Sequence, residues 1–432
     1  MPEARTLVLG GGMTGLAAGI ASGFPVLEAT EEPGGICSSY YVRPQTSKRL
    51  PRVPDDGRAY RFELGGGHWI FGGDPAVLRF IRSLAEVRTY ERVSSVYFPD
   101  TRLYVPYPLQ NHLGHLERNL AMKALAEMAA PQRPCRTMEE WLVNSFGESL
   151  CERFFFPFHE LYTAGLYTDI APQDPYKSPS GFAAAIKGAF EKAQPVGYNI
   201  TYVYPIEGLN SLAQRMAARG EVRYGKKVTG IDVKRKAVAC EDGSEARYER
   251  LISTLPLNVM IELCGMTLDE RPDPYTSVLA LNLGAARGAR CPDDHWLYVP
   301  RSRSGFHRVG IYSNVDRSFL PEPSRASGDR VSLYIERAYA RRRPPADEVE
   351  TYARSTVEEL RDWGFIKEAE VIDPTWIEVA RTWSWPGSRW RSKALQALAD
   401  QEIYQVGRNG RWIFQGIADS IRDGFYVGQA LR

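Results

Sequence analysis

Residues 7–15 read LVLGGGMTG, and the rest of the chain is interpreted from them. An apolar run, Leu7 to Leu9, ends in Gly10, Gly11 and Gly12. Met13, Thr14 and Gly15 then open a helix-forming segment, LAAGIAS. The spacing is G-x-G-x-x-G at a strand-to-helix junction. Gly10 allows the tight turn, Gly12 lets backbone approach a pyrophosphate, and Gly15 lets helix and strand pack closely. The helix N-terminus then offers free N–H groups to the phosphates. The next apolar run, Phe24 to Leu27, ends in Glu28, an acid placed to hold a ribose hydroxyl. A glycine turn without a ligand is the competing reading, and the strand, the helix and Glu28 weigh against it. Glu28 follows Gly15 closely, so the first helix must be short, and Ser22, Gly23 and Pro25 supply its early end.

The whole chain is compatible with such a fold. It has 432 residues, 44% hydrophobic and 25% charged, with a net charge of +2. That balance describes a globular protein and gives no reason to propose nucleic acid or an acidic membrane as partner. No apolar run is long enough to span a bilayer. The first strand is expected almost at once, so no signal peptide is expected. The six cysteines (Cys37, Cys135, Cys151, Cys240, Cys264, Cys291) form no C-x-x-C pair, and the six histidines show no metal spacing. We therefore expect neither a metal nor a disulfide framework, and a cytoplasmic location.

Further along, Gly34 and Gly35 offer a second place for backbone to approach a ligand. Arg43 to Arg58 reads as a loop or short hairpin. In YRFELGGGHWIFGGD, glycines including Gly65, Gly66 and Gly67 surround His68, which suggests backbone against a flat ligand; a buried structural histidine is the alternative. Helical spacing over Pro75–Val87 is followed by a hairpin and by VPYPLQN. Leu116–Ala130 and Met138–Tyr162 read as helices of an inserted section, whose aromatic run RFFFPFHELYTAGLY is core more readily than site. Strands are expected at Asn199–Tyr204, in the 221–253 region, at Ser277–Ala285 and at Val331–Ala338, and a helix at Ala346–Trp363. HWLYVP and FHRVGIYSN read as partner strands that put Trp296 and Tyr298 on one face beside Arg308, an arrangement suited to a phosphate or nucleotide. A solvated surface arginine is the bland alternative. Near the C-terminus, Gly407, Arg408, Gly410, Gly416, Asp419, Ser420 and Gly424 make a second glycine-rich strand-to-helix junction ahead of a short final helix, so both ends of the chain should build one cofactor site.

In this order, LGGGMTGL, Glu28, Pro33–Gly35, Val228 and the C-terminal glycines resemble the FAD-binding amine-oxidase-like flavoproteins. GGHWIF, VPYPLQN, NITYVYP, WLYVP, FHRVGIYSN and VGRNGRW are most similar to UDP-galactopyranose mutases of the eukaryotic type. The resemblance implies FAD held by Gly10, Gly12, Met13, Thr14, Gly15, Glu28, Gly34, Gly35, Gly66, Gly67, His68, Val228, Gly407, Arg408, Asp419 and Ser420. His68 matches the histidine beside the flavin N5, and Val228 would lie by the adenine or be a plain core valine. Tyr107, Gln110 and Asn199 match positions that hold uridine, Trp296 and Tyr298 match cleft aromatics, and Arg308 matches an arginine on the diphosphate. His68 and Arg308 are thus the candidate catalytic residues. The implied reaction is a pyranose/furanose isomerisation of a UDP-sugar through a flavin N5–sugar adduct, with NADPH as candidate external reductant. Oxidation of an amine, a sugar or a porphyrinogen-like ring is the alternative.

The chain departs from the mutase pattern at three places. PFHELYTAGLYTDIAPQ carries no second diphosphate arginine and has Leu161 where lysine is usual. Trp385, before Pro386, and Phe414 replace tyrosines of the substrate site. Each charge-assisted hydrogen bond is worth roughly 1.5–3 kcal/mol, so the losses matter unless another cation, such as Lys177, Arg389 or Arg391, compensates. The expected architecture is α/β: a Rossmann-type FAD domain from residues 1–100, 196–275 and 396–432, an inserted helical section at 101–195, and an antiparallel substrate-side sheet at 276–395.

Overall fold

A computed structural model describes residues 6–173, 181–191, 200–340 and 342–432. The apolar run after the N-terminus forms the strand Thr6–Leu9, buried at every position. It is the centre of a five-stranded parallel sheet whose order is Val222–Arg223, Val26–Leu27, Thr6–Leu9, Arg250–Ser253, Ile403–Gln405. These strands come from the beginning, middle and end of the sequence, as a Rossmann-type domain assembled from separated segments requires. The first helix, Met13–Ser22, is ten residues long and stops at Gly23, whose φ of 76° only glycine adopts readily.

A second, seven-stranded sheet runs in the order Ile366–Thr382, Tyr275–Arg287, Arg330–Tyr339, Arg308–Ile311, Trp296–Tyr298, Ser94–Phe98, Leu103–Pro106. All neighbours are antiparallel except Trp296–Tyr298 with Ser94–Phe98. The hairpin Ser94–Pro106 thus belongs to this sheet and straddles the boundary placed at residue 100. Alternation along the strands divides the sheet's faces. Leu281, Leu297, Val309 and Ile335 pack with Tyr352, Val357 and Leu360 of the helix Ala346–Trp363. The alternate residues, Trp296, Tyr298, Arg308, Tyr334 and Glu336, are released to the opposite face, where a cavity lies.

Three short sheets complete the connections, among them Ile70–Phe71 with Thr201–Pro205 and Val87–Glu91. Two expectations are corrected. The helix expected over Met138–Tyr162 breaks at Gly147, whose φ is 78°, into Met138–Phe146 and a second stretch of helical turns over residues 148–162. The final helix is not short: Ile417–Leu431 has 15 residues. It lies on the first helix through glycine contacts, since a Cβ at Gly424 would come within 2.9 Å of Ala17 Cβ and one at Gly428 within 3.0 Å of Ala21 Cβ. The long strand Ile366–Thr382 was not foreseen. It tolerates Pro374 because it is the edge of its sheet, where a missing N–H costs no ladder bond.

Candidate flavin bed and substrate cavity

The loop Gly10–Gly12 has the geometry its sequence requires. Gly10 adopts a φ of 95°, and a Cβ at Gly15 would run into the Gly10 carbonyl group. Gly12 caps the first helix without a side-chain hydrogen bond, leaving first-turn N–H groups for another acceptor. Gly34 N–H donates to Gly11 O at 2.8 Å, which lays Gly34 and Gly35 alongside Gly12. Glu28 is buried at the end of Val26–Leu27. Its Oε2 accepts Gly11 N–H at 2.6 Å, and its Oε1 accepts Thr30 N–H and hydroxyl at 2.9 and 2.8 Å. Val228 begins a strand of a separate small sheet; Lys226 N–H, two residues earlier, donates to Glu28 O at 2.8 Å.

The C-terminal junction joins this loop. A Cβ at Gly407 would meet Thr14 Oγ1 at 2.6 Å, and Gly407 N–H donates to Asp423 at 3.0 Å. Gly416 caps the last helix, again without a side-chain bond, and Asp419 and Ser420 lie in its first turn. In front of Gly12, Gly35 and Gly416 an added Cβ would find no atom nearer than 3.6 Å. These bare backbones and the uncapped helix starts form a cradle suited to a pyrophosphate and a flat ring, and the residues present fit a flavin dinucleotide.

A cavity of about 260 Å³ adjoins the cradle, lined by Ile36, Gly67, His68, Arg408 and Gly416 on that side and by Tyr107, Trp296, Tyr298, Arg308 and Phe414 elsewhere. Distant sequence motifs, including both candidate catalytic residues, therefore share one chamber. His68 Nδ1 is 3.1 Å from Gly66 O; a carbonyl only accepts, so Nδ1 carries the proton and Nε2 is left as acceptor. Burial pushes the His68 pKa down, a direction Arg408 and Arg308 reinforce, so the ring is neutral at pH 7. The Tyr107 and Tyr298 rings stack at 4.4 Å, tilted by 35°. Arg308 lies opposite Tyr298 across the strand pair, donates to its hydroxyl at 3.3 Å and to Glu336 Oε1 at 3.3 Å, and keeps a buried Nε with no hydrogen-bond partner. Arg408 donates to Ala380 O at 3.2 Å, and its guanidinium covers the Phe414 ring at 4.8 Å. The Phe414 phenyl is thus a platform for the arginine.

Other sequence-predicted positions fall differently. Trp385 does not line the cavity: its Nε1 donates to Pro272 O at 2.9 Å and Arg271 stacks on it at 3.7 Å. The strand ends at Thr382, and the turn beyond it carries Trp385 away while Trp383 faces the cavity. Gln110 is buried in the turn after Tyr107, outside the lining. Asn199 and Lys177 lie outside the described residues. Arg389 bridges to Glu270 at 3.5 Å with its side chain 74% exposed, and neither it nor Arg391 reaches the cavity. Gly65 and Gly67 are small partly because of the protein itself: a Cβ on the first would overlap the His68 ring, and one on the second the Tyr334 ring. The aromatic helix residues Phe154, Phe155 and Phe158 are both core and lining. Sequence reading missed Arg381 and Glu336, which line the same chamber. Their signal was strand alternation, masked in the first by the tryptophan-rich run that follows. Among the described residues, no cluster of His, Cys, Asp or Glu could hold a metal, and no helix is long and apolar enough to cross a membrane.

The fold and the cradle together define a dinucleotide-binding flavoprotein. Residues 16–427 match the model of the flavin containing amine oxidoreductase family, and the chain belongs to that family. It is similar to the crystal structure of reduced UDP-galactopyranose mutase, with a TM-score of 0.83 and 20% identity over 99% of this chain and 95% of that one. A putative protoporphyrinogen oxidase from Exiguobacterium sp. gives a TM-score of 0.71 at 14% identity, covering 100% and 99% of the two chains. Putrescine oxidase bound to putrescine gives 0.58 at 15% identity, covering 99% and 98%. At such identities the likeness is one of fold.

Proposed function

We propose that this flavoenzyme acts on a nucleotide-activated sugar, in a pyranose/furanose isomerisation of the UDP-galactopyranose mutase kind. The observation that carries the reading is Arg308, a cation with an unpaired buried N–H that shares an aromatic chamber with His68 and the cradle. A buried guanidinium with a free donor suits the anionic oxygens of a diphosphate better than it suits a cationic amine. The likeness to the mutase fold supports it. Reduced FAD, when bound, supplies the nucleophile for the anomeric carbon. The protein's part is positional and electrostatic. Tyr107 and Tyr298 present a stacked aromatic wall to a base or sugar. Arg308 neutralises the diphosphate and favours its departure and return, and Arg408 holds its loop against Ala380. Neutral His68 offers Nε2 as an acceptor without adding a charge that would compete for the phosphates.

The test is to reduce the purified holoenzyme with NADPH or dithionite, add UDP-galactopyranose and follow formation of the furanose. Turnover is expected; neither turnover nor binding of UDP by the reduced enzyme would refute the reading. A second reading, oxidation of an apolar amine or ring, draws on the wall of Met138, Trp141, Phe154, Phe155 and Phe158. It predicts anaerobic bleaching of the flavin by substrate without added reductant.

A further inference from the structure

A diphosphate carries about two negative charges, more than Arg308 alone can balance, and residues 157–173 contain no arginine. We propose that Arg381, from the edge strand Ile366–Thr382, is the second cation of the diphosphate clamp, and that Glu336 holds the clamp together until the phosphates replace it. This rests on the nucleotide-sugar reading above.

The geometry is specific. Glu336 is almost wholly buried, its side chain 7% exposed, and divides its carboxylate between two guanidiniums: Arg308 Nη1 donates to Oε1 at 3.3 Å and Arg381 Nη2 to Oε2 at 2.6 Å. The two cations therefore hold opposite oxygens of one carboxylate. His307 approaches the same Oε2 at 3.4 Å and is neutral, its pKa held at about 4 by burial, so it adds no charge. One carboxylate balances only one of the two arginines. Each also retains a donor with nothing to receive it: Arg308 Nε and Arg381 Nη1 are buried and unpartnered. Unpaired buried donors are costly, and a ligand with several acceptor oxygens removes that cost. Tyr162, from the helix where an arginine was expected, instead places its ring 4.5 Å from the Arg381 guanidinium and fixes its plane. The neighbouring Ala380 carbonyl accepts from Arg408, and Arg308, Arg381 and Arg408 all line the one chamber.

A purely structural ion pair would also put Arg381 on Glu336, and the two readings part on ligand binding. UDP, UMP and uridine are titrated into reduced holoenzyme, with flavin content checked for each variant. Arg381→Met should weaken UDP about 10–150-fold, the equivalent of one lost charge-assisted contact, and leave uridine unchanged. Arg381→Lys should recover part of the loss, and Glu336→Gln, which removes the competing carboxylate, should bind UDP more tightly than the unmodified enzyme. The Lys and Gln variants carry the test if the Met variant loses its flavin. UDP affinity within twofold of the unmodified enzyme in the Arg381 variants, or no tightening with Glu336→Gln, overturns the assignment and leaves the nucleotide-sugar reading standing. An unmodified enzyme that binds neither UDP nor UMP overturns both.

Discussion

Gly67 separates two explanations for the glycine run before His68. If the run exists to bring backbone against a flavin, a methyl at residue 67 collides with the cofactor. In the structure it collides with Tyr334: the added Cβ would sit 2.8 Å from Cε1 and closer still to Cζ and the hydroxyl. Carbon atoms prefer about 3.5–4.0 Å, so the ring must withdraw by roughly 1 Å. Its room to move is limited, because the same ring atoms also crowd Gly310, where a Cβ would overlap them, and Tyr312 packs at 4.7 Å with its plane tilted by 43°. Overpacking of this kind costs about 1–3 kcal/mol. An unfolding entropy of about 2.1 cal/mol/K per residue over 432 residues turns that into a Tm drop of roughly 1–3 °C. Gly67 does not have positive φ, so the substitution tests sterics alone. The assay is a double-mutant cycle of Gly67→Ala with Tyr334→Leu, read by denaturant unfolding and by flavin retention. The expected coupling is 1–3 kcal/mol, since removing the ring makes room for the methyl. Additive effects, with a coupling below about 0.5 kcal/mol, would refute the steric account and return the glycine to the cofactor.

Gly424→Val should separate the first and last helices, because a Cβ at residue 424 already reaches Ala17 and the Thr14 carbonyl; the check is loss of flavin on gel filtration. Trp383→Ala should weaken UDP binding at least several-fold while Trp385→Phe stays within twofold, the reverse of the order expected from sequence. His159 and His307, buried with pKa values near 4 against 6.5 when unfolded, make the unfolded state take up protons first. Their contribution is complete above pH 6.5 and is lost as pH falls toward 4, by roughly 3 kcal/mol for each; a change in Tm between pH 6.5 and 4.5 that is the same in a His159→Phe variant as in the unmodified protein would contradict this. Glu63 has the opposite sign. Burial raises its pKa to about 7, so the native state keeps its proton longer and stability falls as pH rises from 4.5 to 7. Glu63→Gln should therefore raise Tm at pH 8 relative to the unmodified protein.

Much of this molecule was legible because its strongest signals are local. The fingerprint, the early helix stop at Gly23 and the alternation that pairs Tyr298 with Arg308 depend on backbone rules that act over a few residues. The strand Ile366–Thr382 escaped because Pro374 argues against a strand unless one knows it lies at an edge, which is a tertiary fact. Arg381 escaped with it. Trp383 and Trp385 have the same parity in sequence, and only the end of the strand at Thr382 decides which one sees the chamber. The glycines around His68 stand out in the sequence as backbone against a flat ligand, but the atoms that crowd Gly65 and Gly67 belong to His68 itself and to Tyr334, 267 positions beyond Gly67.

The pairing of the last helix with the first sets an order on biogenesis. Met13–Ser22 is translated long before the surface that Gly424 and Gly428 complete against it. A cradle that draws on both Gly12 and Gly416 is complete only once both segments have been synthesised. Until then the early helix lacks this cover, and a truncation before Ile417 should leave the substrate-side sheet in place while removing the grip on the cofactor.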